Sequence, residues 1–438
     1  MTAPGDRTPA QNRVVTRGPR TERDPFYTSS PFEPRIDPPA ALEEIDLTDG
    51  DLMRFGDPHA AWRLLREQAP VYWHAKPAPG TRGQGFWAVT SAAGVNEVHR
   101  KADLYSLSES IFIDLLPDNV PHQLTSMDPP EHTAHRKAIN RYFTATAVQR
   151  WADDIRAITN TVLDGAAQAD GPINFHEAIA APIPFLATCG LLEMPPERAQ
   201  ELAAALTSMS YDSLEDFDRF TDTLIAFFDS LTREIQPRPD GLISSLFNAD
   251  LGDRTIDRAE ALAQLWILFV GAIDTTAHAT SIGLLSLFHH PDQLDRLRND
   301  LSLMPSAVTE LLRWTTSSNV NKHIVLRDTE LLGVPLKQGD YVADYLGAAN
   351  RDPEAFHDPY RFDITRGRES PIFTFGGGPH LCIGAQFARL EMKVIFEELL
   401  RRFPDIALAG QPERGEAFTM ILSPLAELPV HLGEEMQP

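Results

Sequence analysis

A chain of 438 residues, of which 42% are hydrophobic and 23% charged, is long enough to bury a large core and has the composition of a globular protein. Its formal net charge of −23 opposes general attraction to nucleic acid, and no apolar run approaches the roughly 18 residues of a membrane span. Because Cys189 and Cys382 are its only cysteines, we expect no disulfide framework and a cytoplasmic protein without a membrane anchor.

The N-terminal part of the chain is predicted to contain an irregular tail, a helix and a small hairpin. Residues 1–40 are rich in proline and arginine, so we expect an irregular N-terminal tail ahead of one domain over residues 41–438. The acidic residues in this tail favour a solvated segment over a transit peptide. Apolar spacing predicts a helix over Leu52–Gln68, and the runs Val71–Trp73 and Phe86–Thr90 predict a small hairpin.

The rest of the chain is mostly helical in its pattern. Residues 128–290 carry helical periodicity, whereas the shorter period and glycines near Leu332–Leu346 predict a second small sheet. Strands do not alternate regularly with helices, so a doubly wound parallel sheet is disfavoured. The sequence therefore predicts a mainly α fold with small β-sheets.

The longest predicted helix begins after Asp257, which forms a capping box with Glu260, and ends near His290. About 32 residues span roughly 48 Å. The unbroken apolar run Leu265–Val270 indicates a helix that is buried on most faces.

Within this helix, the segment Gly271–Thr276 places an acid and two hydroxyls in a buried position. A buried Asp274 beside Thr275 is locally costly. The residues alone leave two interpretations open: a kink in which Thr275 or Thr276 bonds back to the preceding turn, or a catalytic acid–alcohol pair.

A short helix after Pro305 carries Glu310 and Arg313, whose spacing of three puts both charges on one face. Taken alone, this spacing also describes an exposed ion pair that contributes a fraction of a kcal/mol.

A glycine-rich loop, Phe373–Leu381, ends at Cys382, and a helical pattern then runs to about Phe403. At a helix N-terminus the free N–H groups and the helix dipole favour a thiolate, which suits an axial iron ligand. The residues alone also allow a buried, inert cysteine or a zinc site shared with His380.

The run Phe375-Gly-x-Gly-x-His-x-Cys-x-Gly384 resembles the haem-binding signature of the cytochrome P450 family at every fixed position. The resemblance implies a P450 fold in which the long helix crosses above haem b, with Cys382 as the axial ligand of the iron. Further matches are Met127–Arg136, where His132 and Arg136 share a helix face, and Ala349–Phe356. His323 stands where an arginine is common. The haem-binding residues implied are His132, Arg136, Ala272, His323, Phe375, Gly376, His380, Cys382 and Gly384.

The segment Gly271–Thr276 is similar to the oxygen-activation motif of that family. The resemblance implies that Thr275 hydrogen-bonds dioxygen and that Asp274 relays protons, which makes them the catalytic pair. Ala272 departs from the usual glycine. The resemblance also implies a buried structural cluster of Glu310, Arg313 and Arg361.

The activity implied is that of a monooxygenase that uses O2 to hydroxylate or otherwise oxidise a small, largely apolar organic metabolite such as a terpenoid, steroid or aromatic compound. Each predicted pocket residue is also a plausible core residue. The predicted substrate-binding residues are Ile111, Phe112, Leu115, Ile273, Asn319, Val320, Met420 and Ile421.

Resemblance to stand-alone bacterial members implies a monomer that receives electrons from a ferredoxin and a ferredoxin reductase. The basic side chains after the cysteine are either a docking patch for that partner or a solvated helix face: Arg389, Lys393, Arg401 and Arg402. Ala272 and His323 leave room for a haem-thiolate enzyme of another reaction class, using peroxide, rearrangement or nitrogen-transfer chemistry in secondary metabolism. A non-catalytic binding protein is the third hypothesis, which the retained Cys382 and the Asp274–Thr275 pair disfavour.

Overall fold

The computed structural model describes residues 36–115, 118, 120–207, 209, 214–367, 371–415 and 425–436. The helices of these residues are α1 (Gly50–Phe55), α2 (Pro58–Gln68), α3 (Ala92–Arg100), α4 (Glu131–Ile139), α5 (Ala145–Gln149), α6 (Ala152–Ala166), α7 (Pro182–Leu191), α8 (Pro196–Thr207), α9 (Leu214–Glu234), α10 (Leu242–Phe247), α11 (Arg258–His289), α12 (Pro291–Asn299), α13 (Met304–Thr315), α14 (Leu346–Ala349) and α15 (Ala385–Arg402). The strands are β1 (Val71–His74), β2 (Phe86–Val89), β3 (Tyr105–Ser106), β4 (Ile173–Asn174), β5 (Val320–Val325), β6 (Thr329–Leu331), β7 (Val334–Leu336), β8 (Tyr341–Tyr345), β9 (Ala407–Leu408), β10 (Glu413–Arg414), β11 (Leu425–Glu427) and β12 (Pro429–His431). The mainly α fold with small sheets is confirmed. Most of the predicted N-terminal tail, up to residue 35, lies outside the described residues.

The largest sheet has the strand order β1-β2-β8-β5-β3. The predicted hairpin is present, since β1 and β2 pair antiparallel with Val71 opposite Val89. β2 pairs with β8 in parallel, and β5 lies antiparallel to β8. The second predicted sheet is only partly correct. β6 and β7 form a two-stranded hairpin, but β8 is buried along its whole length and joins the first sheet between β2 and β5.

The predicted helix over Leu52–Gln68 is two helices. Asp57 lies between them and accepts a hydrogen bond from His59 N at 3.0 Å, which caps α2, and Pro58 opens that helix. A capping carboxylate followed by proline favours a new helix start over continuation, so α1 ends at Phe55.

α11 is the central element of the fold. Its predicted capping box is present: Glu260 N donates to Asp257 Oδ1 and Asp257 N donates to Glu260 Oε2, both at 2.9 Å. The two largest core clusters meet along it, one containing Trp266 and the other Leu284. By length and hydropathy α11 is able to cross a membrane, but more than half of its most apolar stretch is buried inside the protein, as expected of a core helix.

Glu310 and Arg313 form a buried pair on α13. Arg313 Nε donates to Glu310 Oε2 at 2.7 Å and Nη2 donates to Oε1 at 2.8 Å, and each side chain is 1% exposed. The assignment of Arg361 to this cluster is wrong, because its side chain is exposed and only its carbonyl faces Arg313. The chain turns back after Arg361, so that Arg366 lies 3.3 Å from Glu310 Oε2 and is the second cation of the cluster.

Candidate active site

One cavity of about 360 Å³ lies between the loop before α15, the middle of α11 and the face of α4. It collects residues that are far apart in the sequence. All the predicted haem-binding and catalytic residues line it: His132, Arg136, Ala272, Asp274, Thr275, His323, Phe375, Gly376, His380, Cys382 and Gly384.

Backbone contacts shape the loop that carries Cys382. Cys382 N donates to Phe375 O at 2.9 Å, and Arg136 of α4 donates to the carbonyls of Pro379 and Leu381. Gly378 has φ +61°, and a Cβ there would lie 2.0 Å from the carbonyl oxygen of His99. Only glycine allows this close approach, so α3 and the cysteine loop fix each other.

Cys382 opens onto the cavity three residues before α15 begins. Burial raises the pKa of its thiol above the ordinary value, although the N–H groups of Gly384 and Ala385 and the charge of Arg136 act in the opposite direction. The position of Cys382 at a helix start predicted a preference for thiolate. Burial outweighs that effect in this protein, and coordination to a metal ion is the interaction that would deprotonate the sulfur fully.

Three buried ring nitrogens that face the cavity have no hydrogen-bond partner among the described residues: His132 Nδ1, His323 Nδ1 and His380 Nε2. Burial lowers the pKa of His132 to about 4 and that of His380 to about 3. Buried polar atoms almost always have partners. Beside the guanidinium of Arg136, these nitrogens fit the acid side chains of a haem, and the Cys382 sulfur fits its iron.

Asp344 bridges two histidines at the edge of this cavity. Its Oδ1 lies 2.8 Å from His323 Nε2 and its Oδ2 lies 2.7 Å from His99 Nε2. Burial by itself would raise the pKa of Asp344, but the two imidazoles bring it below its usual range. An ionised carboxylate only accepts, so each Nε2 donates to it, and these two hydrogen bonds fix the orientation of both rings at the edge of the cavity. His99 and Asp344 were not predicted from the sequence, since they lie 245 residues apart and share no local pattern.

The acid–alcohol segment lies in the middle of α11, which is continuous from Arg258 to His289. Thr275 Oγ1 donates to Gly271 O at 2.9 Å, so the bond to the preceding turn exists in a residue that also lines the cavity. Burial raises the pKa of Asp274 to about 6. Its carboxyl therefore exchanges a proton close to neutral pH, which suits a proton relay.

The predicted substrate-binding residues divide into two groups. Ile111, Phe112 and Leu115 line the cavity, whereas Ile273, Asn319 and Val320 do not. Met420 and Ile421 lie outside the described residues.

Strand and helix periodicity explains why Val320 and Ile273 lie outside the cavity. His323 faces the cavity from β5, and because side chains alternate along a strand, Asn321 shares that face while Val320 packs into the core behind it. On α11, Ile273 lies a third of a turn from Ala272 and packs against the core instead.

Lys322, on the opposite face of β5, holds the segment that carries Ile111. Its backbone N donates to Ile111 O at 2.9 Å, and its buried Nζ donates to the carbonyls of Gly80 and Glu109 at 2.9 and 2.8 Å. Burial lowers the pKa of Lys322 to about 8.

Other side chains of the cavity were not predicted. Phe217 and Phe220 of α9 line it together with Trp266, and the Phe217 and Trp266 rings meet edge to face at 6.1 Å. Their helical spacing is a signal of a buried face, but nothing local tells which space that face borders. Glu391 also lines the cavity, and burial raises the pKa of its carboxyl well above the ordinary value.

The predicted docking patch is largely compensated within the chain. Lys393 pairs with Glu397 at 3.1 Å and Arg401 pairs with Glu398 at 2.8 Å. Arg402 lies 2.6 Å from an Asp164 oxygen, and Arg389 donates to the Thr309 hydroxyl at 3.0 Å. These contacts favour a structural role for the four residues over a free cationic surface.

Comparisons with known proteins agree with this geometry. The family model for Cytochrome P450 matches residues 201–414. A Mycobacterium tuberculosis protein named as cytochrome P450 126 is 34% identical over 395 residues, which cover 85% of this chain and 94% of the relative. A steroid C26-monooxygenase of Rhodococcus jostii is 30% identical over 398 residues, covering 87% and 84%.

Solved structures give the same fold. The Mycobacterium marinum cytochrome P450 CYP268A2 in complex with pseudoionone has a TM-score of 0.79 and 27% identity, covering 88% of this chain and 98% of that one. CYP109E1 from Bacillus megaterium in complex with testosterone has a TM-score of 0.75 and 27% identity, covering 85% and 99%.

Proposed function

The chain belongs to the cytochrome P450 family of haem-thiolate monooxygenases, and we propose that it holds haem b through Cys382 and uses O2 to oxidise a small, largely apolar organic molecule. The observation that carries this proposal is the convergence of four kinds of group on one cavity: a cysteine sulfur, three histidine nitrogens without partners among the described residues, an acid–alcohol pair, and the aromatic side chains of Phe217, Phe220 and Trp266.

Each group has a task in this proposal. The bound haem supplies oxygen activation and electron transfer at its iron. Arg136, His132 and His380 bind its acid side chains, and Asp344 orients His323 towards the same place. Asp274, whose pKa is about 6, holds or releases a proton beside the Thr275 hydroxyl. The side chains of Phe217, Phe220 and Trp266 exclude bulk water from Asp274 and Thr275.

The chemistry of the cavity supports an apolar, ring-containing substrate. Its lining is dominated by aliphatic and aromatic side chains, including Phe112, Phe217 and Trp266, with Ser317, Ser318 and Asn321 as neutral hydrogen-bonding groups. One relative is named as a steroid C26-monooxygenase, and one structural neighbour was solved with testosterone. A steroid or terpenoid fits these observations better than a charged metabolite does.

The proposal includes an electron supply from outside the chain, by a ferredoxin and its reductase, to a monomer in the cytoplasm. Because Lys393, Arg401 and Arg402 are engaged with acids of the same chain, the docking surface for the ferredoxin is not assigned to them.

The test is a spectral titration of the ferric, haem-loaded protein with steroids, terpenoids, aromatic amino-acid derivatives and polyketide fragments. We expect a shift from low to high spin with a steroid or terpenoid, because the ligand displaces water from the iron. Phe112→Ala should weaken that binding, whereas Ile273→Ala, on the central helix but outside the cavity, should not.

Two results would contradict the proposal. One is a normal haem spectrum with no response to any apolar ligand. The other is turnover that runs on peroxide alone but not on reduced ferredoxin and O2, which would favour a haem-thiolate enzyme of another reaction class.

A further inference from the structure

A second group of titratable side chains lies outside the cavity, where α4 meets the start of α11. His135 of α4 is 1% exposed, and neither of its ring nitrogens has a hydrogen-bond partner in the described part of the chain. Buried polar atoms without partners are rare and require an explanation. Unlike its neighbour His132, His135 does not line the haem cavity, so a haem does not supply its missing partner.

Two carboxylates face this histidine. Glu131 precedes it by one turn on α4, and Glu260 is the third residue of α11. One ligand atom from each of the three residues lies within 4.8 Å of the other two. His122 adds a second imidazole, since its Nε2 lies 3.2 Å from Glu131 Oε1. One imidazole and two carboxylates thus converge from two helices, and His122 is a second imidazole in contact with Glu131 at the exposed edge of this group.

We propose that His122, Glu131, His135 and Glu260 bind a divalent first-row transition metal, zinc in particular, that joins α4 to the start of α11. Imidazole and carboxylate donors are the set that zinc takes in proteins. Bonds of about 2.0–2.1 Å in a tetrahedral site place the donor atoms roughly 3.4 Å apart. The His122–Glu131 pair is already close to that separation at 3.2 Å, and the ligand atoms of Glu131, His135 and Glu260 lie within 4.8 Å of one another.

The site is open to solvent on one side and tightly packed on the other. His122 and Glu131 are 53% and 43% exposed, whereas His135 is buried. A cation therefore reaches the site from solvent through the exposed pair and completes its coordination on the buried ring. This arrangement provides the access route that a binding site needs.

Arg254 is the built-in competitor for the cation. Its guanidinium holds both oxygens of Glu260, with Nη1 donating to Oε2 at 2.6 Å. Zinc must share Glu260 with this guanidinium or displace it. Removing the Arg254 charge should therefore strengthen zinc binding, an outcome of opposite sign to the loss of a ligand.

A cation at this place has a consequence for the haem pocket. α4 carries His132 and Arg136, and α11 carries Asp274 and Thr275. Cross-linking the two helices should stabilise the wall of the cavity and raise the thermal midpoint of the haem-loaded protein, since a ligand that binds only the folded state stabilises it.

The experiment uses haem-loaded protein stripped with a chelator and dialysed, then titrated with zinc ion by calorimetry, with zinc content measured by mass spectrometry. We expect one zinc per chain in addition to the haem iron. His135→Gln and Glu131→Gln should weaken binding by about tenfold or more, and Arg254→Gln should strengthen it. His431→Gln, at an exposed histidine of β12, is the matched control and should bind zinc as the parent does.

Failure to bind zinc stoichiometrically would overturn the proposal, as would binding that persists unchanged in both His135→Gln and Glu131→Gln or is lost in His431→Gln. If the buried His135→Gln variant does not fold, Glu131→Gln and Arg254→Gln decide, because both side chains are exposed. Zinc should raise the thermal midpoint of the parent and not that of Glu131→Gln, and equal responses would refute the site.

Discussion

The buried pair of Glu310 and Arg313 gives the sharpest prediction about stability. Glu310 accepts two hydrogen bonds from Arg313 and one from the backbone N of Asp363 at 2.9 Å, and Arg366 lies beside it. Replacing Glu310 by alanine removes the counter-charge but leaves the Arg313 guanidinium buried against backbone carbonyls.

The magnitude follows from the burial of both charges. Removing one partner of a buried ion pair costs about 3–5 kcal/mol, because the other charge is left uncompensated away from water. At about 1.4 kcal/mol per factor of ten, this raises the unfolding equilibrium constant by roughly a hundredfold to several thousandfold. A typical total stability is only about 5–15 kcal/mol, so the substitution should remove about a fifth of it or more and lower both the thermal midpoint and the yield of haem-loaded protein.

The assay compares haem-loaded yield and thermal midpoint for Glu310→Ala and for Glu67→Ala. Glu67 forms an exposed pair with Arg63 at 2.9 Å on α2, and its loss should cost only about 0.3–0.5 kcal/mol. Parent-like yield and midpoint in Glu310→Ala would refute the reasoning, as would an equal loss in both variants.

Three further substitutions probe the cavity. Asp274→Asn should keep its haem but lose about 10²–10⁴-fold in O2-dependent turnover. Because burial raises the pKa of Asp274 to about 6, the turnover of the parent should fall as pH rises through 6. A pH profile shared by the parent and Asp274→Asn would contradict the proton relay. Asp344→Asn should release haem to an acceptor apoprotein about tenfold faster, because the anion that orients His323 is gone and roughly one charge-assisted hydrogen bond is lost. An unchanged rate of haem transfer would show that Asp344 does not contribute to haem binding. Lys322→Met should weaken ligand binding about tenfold with haem content intact, whereas Lys101→Met, at an exposed lysine, should have no effect. Equal ligand affinities in the two variants would rule out a role for Lys322 in positioning the segment that carries Ile111.

The sequence predicted those elements whose signals are local. The capping box of Asp257 and Glu260, followed by a long apolar stretch, defined α11 to within a residue. The glycine pattern before Cys382 predicted a loop, which is present, whereas the close approach of Gly378 to the His99 carbonyl was not predicted. In both cases the physical cause lies within a few neighbouring residues.

One error concerns a contact between distant segments, and another concerns the face of a strand. Arg361 was predicted to join the Glu310–Arg313 pair, but Arg366 takes that place, because charge spacing does not encode the direction in which the chain turns between them. Val320 was assigned to the cavity although the strand period, counted from His323, places it on the other face.

The pairing of Asp344 with His99 was beyond the sequence altogether. Three elements must first assemble before these two side chains meet, and neither residue belongs to a recognisable motif.

Cys382 is the residue on which the proposed function depends most, and the absorption spectrum of the reduced, carbon monoxide-bound protein tests its role most directly. We predict that the parent and Cys189→Ala, at the buried second cysteine, show the red-shifted band of a thiolate-ligated haem, and that Cys382→Ser does not. A thiolate band that survives in Cys382→Ser, or is absent from the parent with haem bound, would contradict the assignment.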